Sequence, residues 1–252
     1  MIQSSFVFLE RVKRGIEENL WQQGINSWDS FLAVSKVRGL SSSRKKYYDR
    51  KLIEARKALY NFDSSYFKKL LPQSEYYRLY DFFKEDCVFL DIETTGLDFR
   101  NDDITVIGLF DGIDAKTMIK GINFDYKILK NELKNYKLMV TFNGSSFDVP
   151  FISKKYPDLL PNVPNFDVKS VTDRLNLKGG LKEIEKTLGI KRNEIVENMY
   201  GGDALTLWRT YRATGDDYYL KLLVEYNEED VVNLKKIAEH CIGMLKNNLP
   251  LH

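Results

Sequence analysis

Three short stretches of the chain carry residues that could do chemistry. In Phe89-Leu90-Asp91-Ile92-Glu93-Thr94-Thr95-Gly96-Leu97, two carboxylates stand two residues apart in an apolar run. Residues i and i+2 of a strand share a face, so Asp91 and Glu93 point one way while Leu90 and Ile92 point the other. Neighbouring carboxylates on a core strand repel each other and lose hydration, a cost that a bound cation removes. The plainer reading is a strand end reaching solvent, where two acids are harmless. In Phe142-Asn143-Gly144-Ser145-Ser146-Phe147-Asp148-Val149-Pro150-Phe151, a turn follows a strand and Asp148 opens a helix whose first turn accepts Pro150. Taken alone, Asp148 reads first as an N-cap. The third stretch is a long helix on which Leu223, Tyr226, Asp230, Leu234, Ile237 and Cys241 recur at spacings of three and four, along one face. Asp230 interrupts that apolar stripe, and an isolated buried carboxylate is costly unless it is neutralised. Tyr226 lies one turn earlier on the same face. The bland alternative puts Asp230 at a ragged edge of the stripe, beside the solvated Glu228 and Glu229.

If Asp91, Glu93, Asp148 and Asp230 converge, their charge of about −4 matches two divalent cations about 4 Å apart, a pair suited to phosphodiester hydrolysis. Carboxylate donors favour Mg²⁺ or Mn²⁺. The elements that must hold them follow from periodicity. Strands are predicted at Val88 to Glu93, Ile104 to Phe110, residues 117–122 and Leu138 to Phe142. Helices are predicted from Tyr126 to Asn135 and over about 149–155, 180–188, 203–213 and 217–246. Strands followed by alternating helix and strand imply an α/β fold, a mixed sheet with helices on its faces. The first and fourth strands can then be neighbours, with the terminal helix packed across their ends. Before residue 84 the pattern is helical, with a basic helix from Arg44 to Tyr60 behind the cap Ser41-Ser42-Ser43. The chain therefore divides into a helical, basic region over 1–83 and an α/β domain over 84–252.

Charge follows the same division. Residues 1–80 hold 15 Lys/Arg against 8 Asp/Glu, a net +7, and the remainder carries −5 of the chain's overall +2. A basic module beside a carboxylate-rich one suits a polyanionic partner, with Arg44, Lys45 and Lys46 as candidate phosphate contacts. With two cysteines and two histidines, disulfide frameworks and Cys- or His-based metal sites are excluded. No stretch approaches the roughly 18 apolar residues of a membrane span, and charges close to the first residue break up any secretory core. A cytoplasmic protein with no membrane contact is expected.

Asp-Ile-Glu-Thr-Thr-Gly-Leu, Asn-x-x-x-Phe-Asp and Tyr-x-x-x-Asp, in this order, resemble the three exonuclease motifs of the DEDD superfamily. Tyr226 matches its tyrosine subtype; the histidine subtype would carry His where Asn227 stands. Gly180-Leu181-Lys182-Glu183-Ile184-Glu185, Leu188-Gly189-Ile190-Lys191-Arg192, Gly201-Gly202-Asp203-Ala204 with Leu207-Trp208, and Tyr226 to Leu234 are similar to the YprB-type exonuclease-like proteins of bacteria and archaea. The resemblance covers about residues 76–245. It implies a ribonuclease H-like, five-stranded mixed sheet and metal-dependent 3′–5′ exonuclease activity on single-stranded ends. Asp91, Glu93, Asp148 and Asp230 would then be the metal ligands and Tyr226 would orient water. Thr94 and Asn143 would contact the terminal nucleotide, and Asp167 would be an outer acid or a helix cap. The N-terminal region resembles a helix-hairpin-helix segment in which Arg11 and Lys13 replace the turn glycines. A non-catalytic nucleic-acid-binding protein and a structure-specific endonuclease remain the alternatives. DNA and RNA are not distinguished.

Overall fold

The computed structural model describes residues 1–197, 199 and 201–247. The apolar run Cys87–Thr94 forms β1, Ile104–Phe110 forms β2, Ala115–Ile119 forms β3, Leu138–Thr141 forms β4, and Asn165–Asp167 forms β5. The sheet order is β3-β2-β1-β4-β5. β1, β2 and β3 make an antiparallel meander, while β4 and β5 run parallel to β1. β3 lies earlier than the predicted 117–122. The chain turns at Gly121, whose φ is +76°, and the Asn123 side chain accepts the Ile119 amide at 2.6 Å, which ends the strand.

Alternation along β1 divides its side chains between two cores. Val88, Leu90 and Ile92 pack with Ile107, Leu109 and Met139 against Leu129 and Leu133 of α6 (Tyr126–Leu133) and against Phe151 and Ile152 of α7 (Asp148–Lys155). Cys87 and Phe89 face the other way, with Phe110, Val140 and Phe166. That second face is covered by α8 (Val168–Arg174), α9 (Leu181–Leu188) and α11 (Asp217–Asn247), and by the N-terminal residues. α10 (Gly201–Thr214) packs on α11, with Ala204 and Trp208 beside Val106 and Tyr226. Asp91 and Glu93 share the face of Phe89, so they point toward α11.

The N-terminal region holds α1 (Arg14–Gln22), α2 (Trp28–Ala33), α3 (Ser42–Tyr60), α4 (Ser64–Lys68), a 3-10 segment at Gln73–Leu79 and α5 (Tyr80–Phe83). Its aromatic core runs without interruption into the sheet through Leu79, Tyr80 and Phe83. Arg78 is buried between Glu17 and Glu75, at 2.9 and 2.6 Å. Arg14 and Arg174 also reach Glu75, so one ionic cluster joins α1 to α8. Gln73 donates to Ser145 at 2.8 Å, touching the turn that precedes α7. Among the described residues no helix is long and apolar enough to cross a membrane.

Candidate metal centre

β1 runs past the end of β4. Their pairing stops at Phe89↔Val140, which leaves Asp91 to Thr94 beyond the neighbouring strand. The backbone amide of Ile92 is taken up instead by Asp148, whose Oδ1 accepts it at 3.1 Å from the first turn of α7. Asp148 is thus held beside Asp91 by the main chain of the strand that carries Asp91. From the opposite side α11 brings Asp230, 7% exposed, over the same face. One carboxylate oxygen from each of Asp91, Glu93 and Asp230 lies within 4.8 Å of the others.

The electrostatics are those of crowded acids out of water. Burial and the charges of Asp230, Asp148 and Glu93 hold Asp91 well above the usual carboxylate range. Glu93 rises for the same reasons, first burial and then Asp230 and Asp148. Burial pushes Asp148 up to about 7 although its own amide and that of Ile92 oppose the shift. Asp230 is pushed by burial to about 6, with Arg192 opposing. Tyr226 is raised by burial and by Asp230, Glu93 and Asp91, so it stays a neutral phenol at physiological pH. Hard oxygen donors at this spacing, desolvated and with more carboxylates than neighbouring cations, fit a divalent cation such as Mg²⁺ or Mn²⁺. Asp230 Oδ1 is buried with the Arg192 guanidinium as a close but poorly aligned partner, which leaves it acceptor capacity for such an ion.

Asn227 and Arg192 are not visible as supporting groups in the sequence, whereas Asp167, Asn143 and Thr94 are. Asn227, fully buried, donates to Asp91 Oδ2 at 2.9 Å. It sits in a notch made by Gly108, the register partner of Asp91 on β2. A glycine inside an otherwise apolar strand was the available signal. Asp167 caps α8 through the Lys169 amide and accepts the Asn143 and Ser145 amides at 2.8 and 2.9 Å. It thereby fixes the turn between β4 and α7, in which Asn143 takes a left-handed φ of +58°. Asn143 Oδ1 accepts Ser146 Oγ at 2.8 Å. Thr94 ends β1 at a register shift and its hydroxyl donates to the Gly96 carbonyl at 2.7 Å. Lys182 lies over the Tyr226 ring at 4.3 Å, and Arg192 lies 5.9 Å from the same ring centroid.

Arg44, Lys45 and Lys46 lie on α3 in the N-terminal region and do not belong to the carboxylate cluster. Lys45 departs from the expectation of a surface phosphate contact. It is 4% exposed, bonded to Asp49 at 2.6 Å and lies 4.7 Å from the Phe31 ring centroid. Its position falls on the stripe of Tyr48, Leu52, Ala55 and Leu59 that faces the N-terminal core. Arg44 is half-buried and Lys46 is exposed.

A mixed sheet in this order, with acids from its central strand, from the helix after β4 and from the long C-terminal helix, is a ribonuclease H-like fold. Residues 88–242 match the sequence profile of the RNase_H superfamily, well over half the chain, and the chain belongs to that superfamily. No curated protein sequence matches it. Among solved structures, the fold is similar to the family B DNA polymerase from the hyperthermophilic archaeon Pyrobaculum calidifontis. The match has 16% identity and a TM-score of 0.52, covering 63% of this chain and 25% of the polymerase. The chain thus spans about a quarter of that protein's length. Brucella melitensis NrnC with bound Mg²⁺ is 19% identical over 67% of this chain and 78% of that one, with a TM-score of 0.46. The same NrnC bound to pGG is 20% identical with the same coverage and a TM-score of 0.43.

Proposed function

We propose that this protein is a metal-dependent 3′–5′ exonuclease of the DEDD tyrosine subtype, related to the YprB-type proteins, that trims single-stranded nucleic-acid ends. The convergence of Asp91, Glu93 and Asp230 to within 4.8 Å, on the face where Tyr226 lies, carries the reading. With Asp148 these residues would hold two Mg²⁺ or Mn²⁺ ions, which supply the polarisation of the scissile phosphate and the activation of water. Asn227 keeps Asp91 aimed at the centre, and the Ile92 amide keeps Asp148 there. Tyr226, a neutral phenol one helical turn from Asp230, orients the attacking water through its hydroxyl. Thr94 and the turn residue Asn143 would contact the terminal nucleotide. Residues 1–83 add a positively charged region, with Arg44 and Lys46 available to phosphates.

The test uses end-labelled single- and double-stranded DNA and RNA with Mg²⁺, Mn²⁺ or EDTA. Products shortening stepwise from the 3′ end, abolished by EDTA, Asp91→Asn and Asp230→Asn, are expected. Equal cleavage by wild type and both variants would refute the assignment. Binding without metal-dependent cleavage would point instead to a non-catalytic nucleic-acid-binding protein, and internal cuts to an endonuclease.

A further inference from the structure

The carboxylate cluster already has a cation of its own. Arg192 follows α9, and its guanidinium is 3% exposed. Its Nε and Nη2 donate to the two carboxylate oxygens of Glu185 at 2.6 and 2.8 Å. The same Nη2 pairs with Asp230 Oδ1. Glu185 is 2% exposed and does not belong to the group of acids close enough to share an ion. Both its oxygens are committed to one guanidinium, so its role is to keep Arg192 in place.

The two contacts of Arg192 differ in quality. The Glu185 pair is bidentate, the strong geometry for a guanidinium. The Asp230 contact is close but poorly aligned: Asp230 Oδ1 makes no well-formed hydrogen bond, and Arg192 Nη1 is buried without one. Giving up the Asp230 contact therefore costs less than breaking the Glu185 pair, and Glu185 retains Arg192 when the contact is lost. A desolvated carboxylate cannot bring a guanidinium and a dication equally close, because the two cations repel strongly where water does not screen them.

We propose that Arg192 is a positioning residue that competes with a divalent cation for Asp230, so that metal affinity is set by exchanging an internal guanidinium for an external ion. The inference rests on the metal-dependent reading above. Before metal arrives, Arg192 compensates Asp230 and holds α11 against the segment after α9. When metal enters, Arg192 falls back on Glu185 alone and leaves Asp230 to the ion.

The test measures Mn²⁺ affinity of the full chain by calorimetry, with melting temperature recorded for every variant. Arg192→Gln should bind Mn²⁺ about 10- to 100-fold more tightly than wild type, the range of one charge-assisted contact. Arg192→Lys, which cannot bridge both carboxylates, should shift affinity in the same direction by less, and it decides the matter if the Gln variant does not fold. In an Asp230→Asn background the effect of Arg192→Gln should shrink to under about 2-fold, because the contested ligand is gone. Equal tightening in both backgrounds would mean that Arg192 acts only through its long-range field, and would overturn the proposal. Unchanged or weaker binding in both Arg192 variants would overturn it in favour of a purely structural role. Absence of Mn²⁺ binding in every variant would overturn the metal-dependent reading itself, and the inference with it.

Discussion

Gly108→Ala is a one-methyl change that strikes the candidate centre from the neighbouring strand, on the face that carries Asp91. A Cβ built at Gly108 lies 2.0 Å from Asn227 Oδ1 and 2.8 Å from its Cγ. Neither partner has room to retreat. Gly108 is in β2, paired on one side with Asp91 and on the other with Thr117, and Asn227 is fully buried. The amide must therefore swing away and release Asp91. Forcing a methyl into a filled site costs about 1–3 kcal/mol. Losing a hydrogen bond to a carboxylate adds about 1.5–3 kcal/mol, and alanine returns about 0.4–1 kcal/mol by restricting the unfolded chain. The net destabilisation is about 2–5 kcal/mol, or a fall in melting temperature of roughly 5–15 °C for a protein of this size. Calorimetry or chemical denaturation of the metal-free protein measures it. The diagnostic is the double variant with Asn227→Ala, which vacates the notch. It should be at least about 1 kcal/mol more stable than the two single losses added together. A Gly108→Ala protein as stable as wild type, or strict additivity in the pair, would refute the notch argument.

Other outcomes follow from the same geometry. Asp148 and Asp230 bind protons more readily in the folded than in the unfolded chain, with values of about 7 and about 6 against an ordinary 3.8. Their contribution to stability is complete below about pH 4 and is lost as pH rises through those values. The metal-free melting temperature, taken relative to Asp148→Asn, should therefore fall between pH 5 and pH 8, and saturating Mg²⁺ should abolish the fall; a relative rise over that window contradicts the assignment. Tyr226→Phe should lower turnover by about 10²-fold while calorimetric metal affinity barely changes, and a large loss of metal binding would make the tyrosine structural. Arg44→Glu with Lys46→Glu should flatten the dependence of log affinity for nucleic acid on log salt without lowering the melting temperature. Lys45→Glu, by contrast, should destabilise the fold by burying a second acid next to Asp49, and a Lys45 variant that melts like wild type would show that this side chain is not held in the core.

Much of this arrangement is written in local periodicity, and the unread parts are those that only tertiary contact creates. β2 spans the predicted Ile104 to Phe110, because a run with only Thr105 polar, bounded by Asp103 and Asp111, leaves little choice. The strand period explains why Asp91 and Glu93 share a face, and the helix period brings Asp230 to the stripe that meets them. Periodicity does not delimit β5 and α8, since three residues of strand followed by two turns of helix carry too little pattern; they are implied only by the five-stranded sheet of the resemblance and by Asp167 as a candidate helix cap. Asn227 reads as an ordinary polar helix residue until the missing side chain of Gly108 gives it a place. Arg192 stands after the end of α9, and nothing local announces that its guanidinium turns inward to Asp230. Lys45 was legible but misread: spacings of three and four tie it to Tyr48, Leu52, Ala55 and Leu59, while its basic neighbours suggested a surface.

The placement of Asp230 on α11 has a consequence for the protein during its own synthesis. α11 packs across β1, β2 and β3, and its Leu234, Ile237 and Cys241 close a core that also contains Tyr80 and Phe83. A ribosome delivering the chain exposes those aromatic residues long before their partners emerge, and supplies the carboxylates of β1 well over one hundred residues ahead of Asp230. The core stays open until the partner helix has left the exit tunnel, with the slow, non-local closure that such pairings impose. Nascent chains therefore hold an incomplete carboxylate cluster until α11 has emerged.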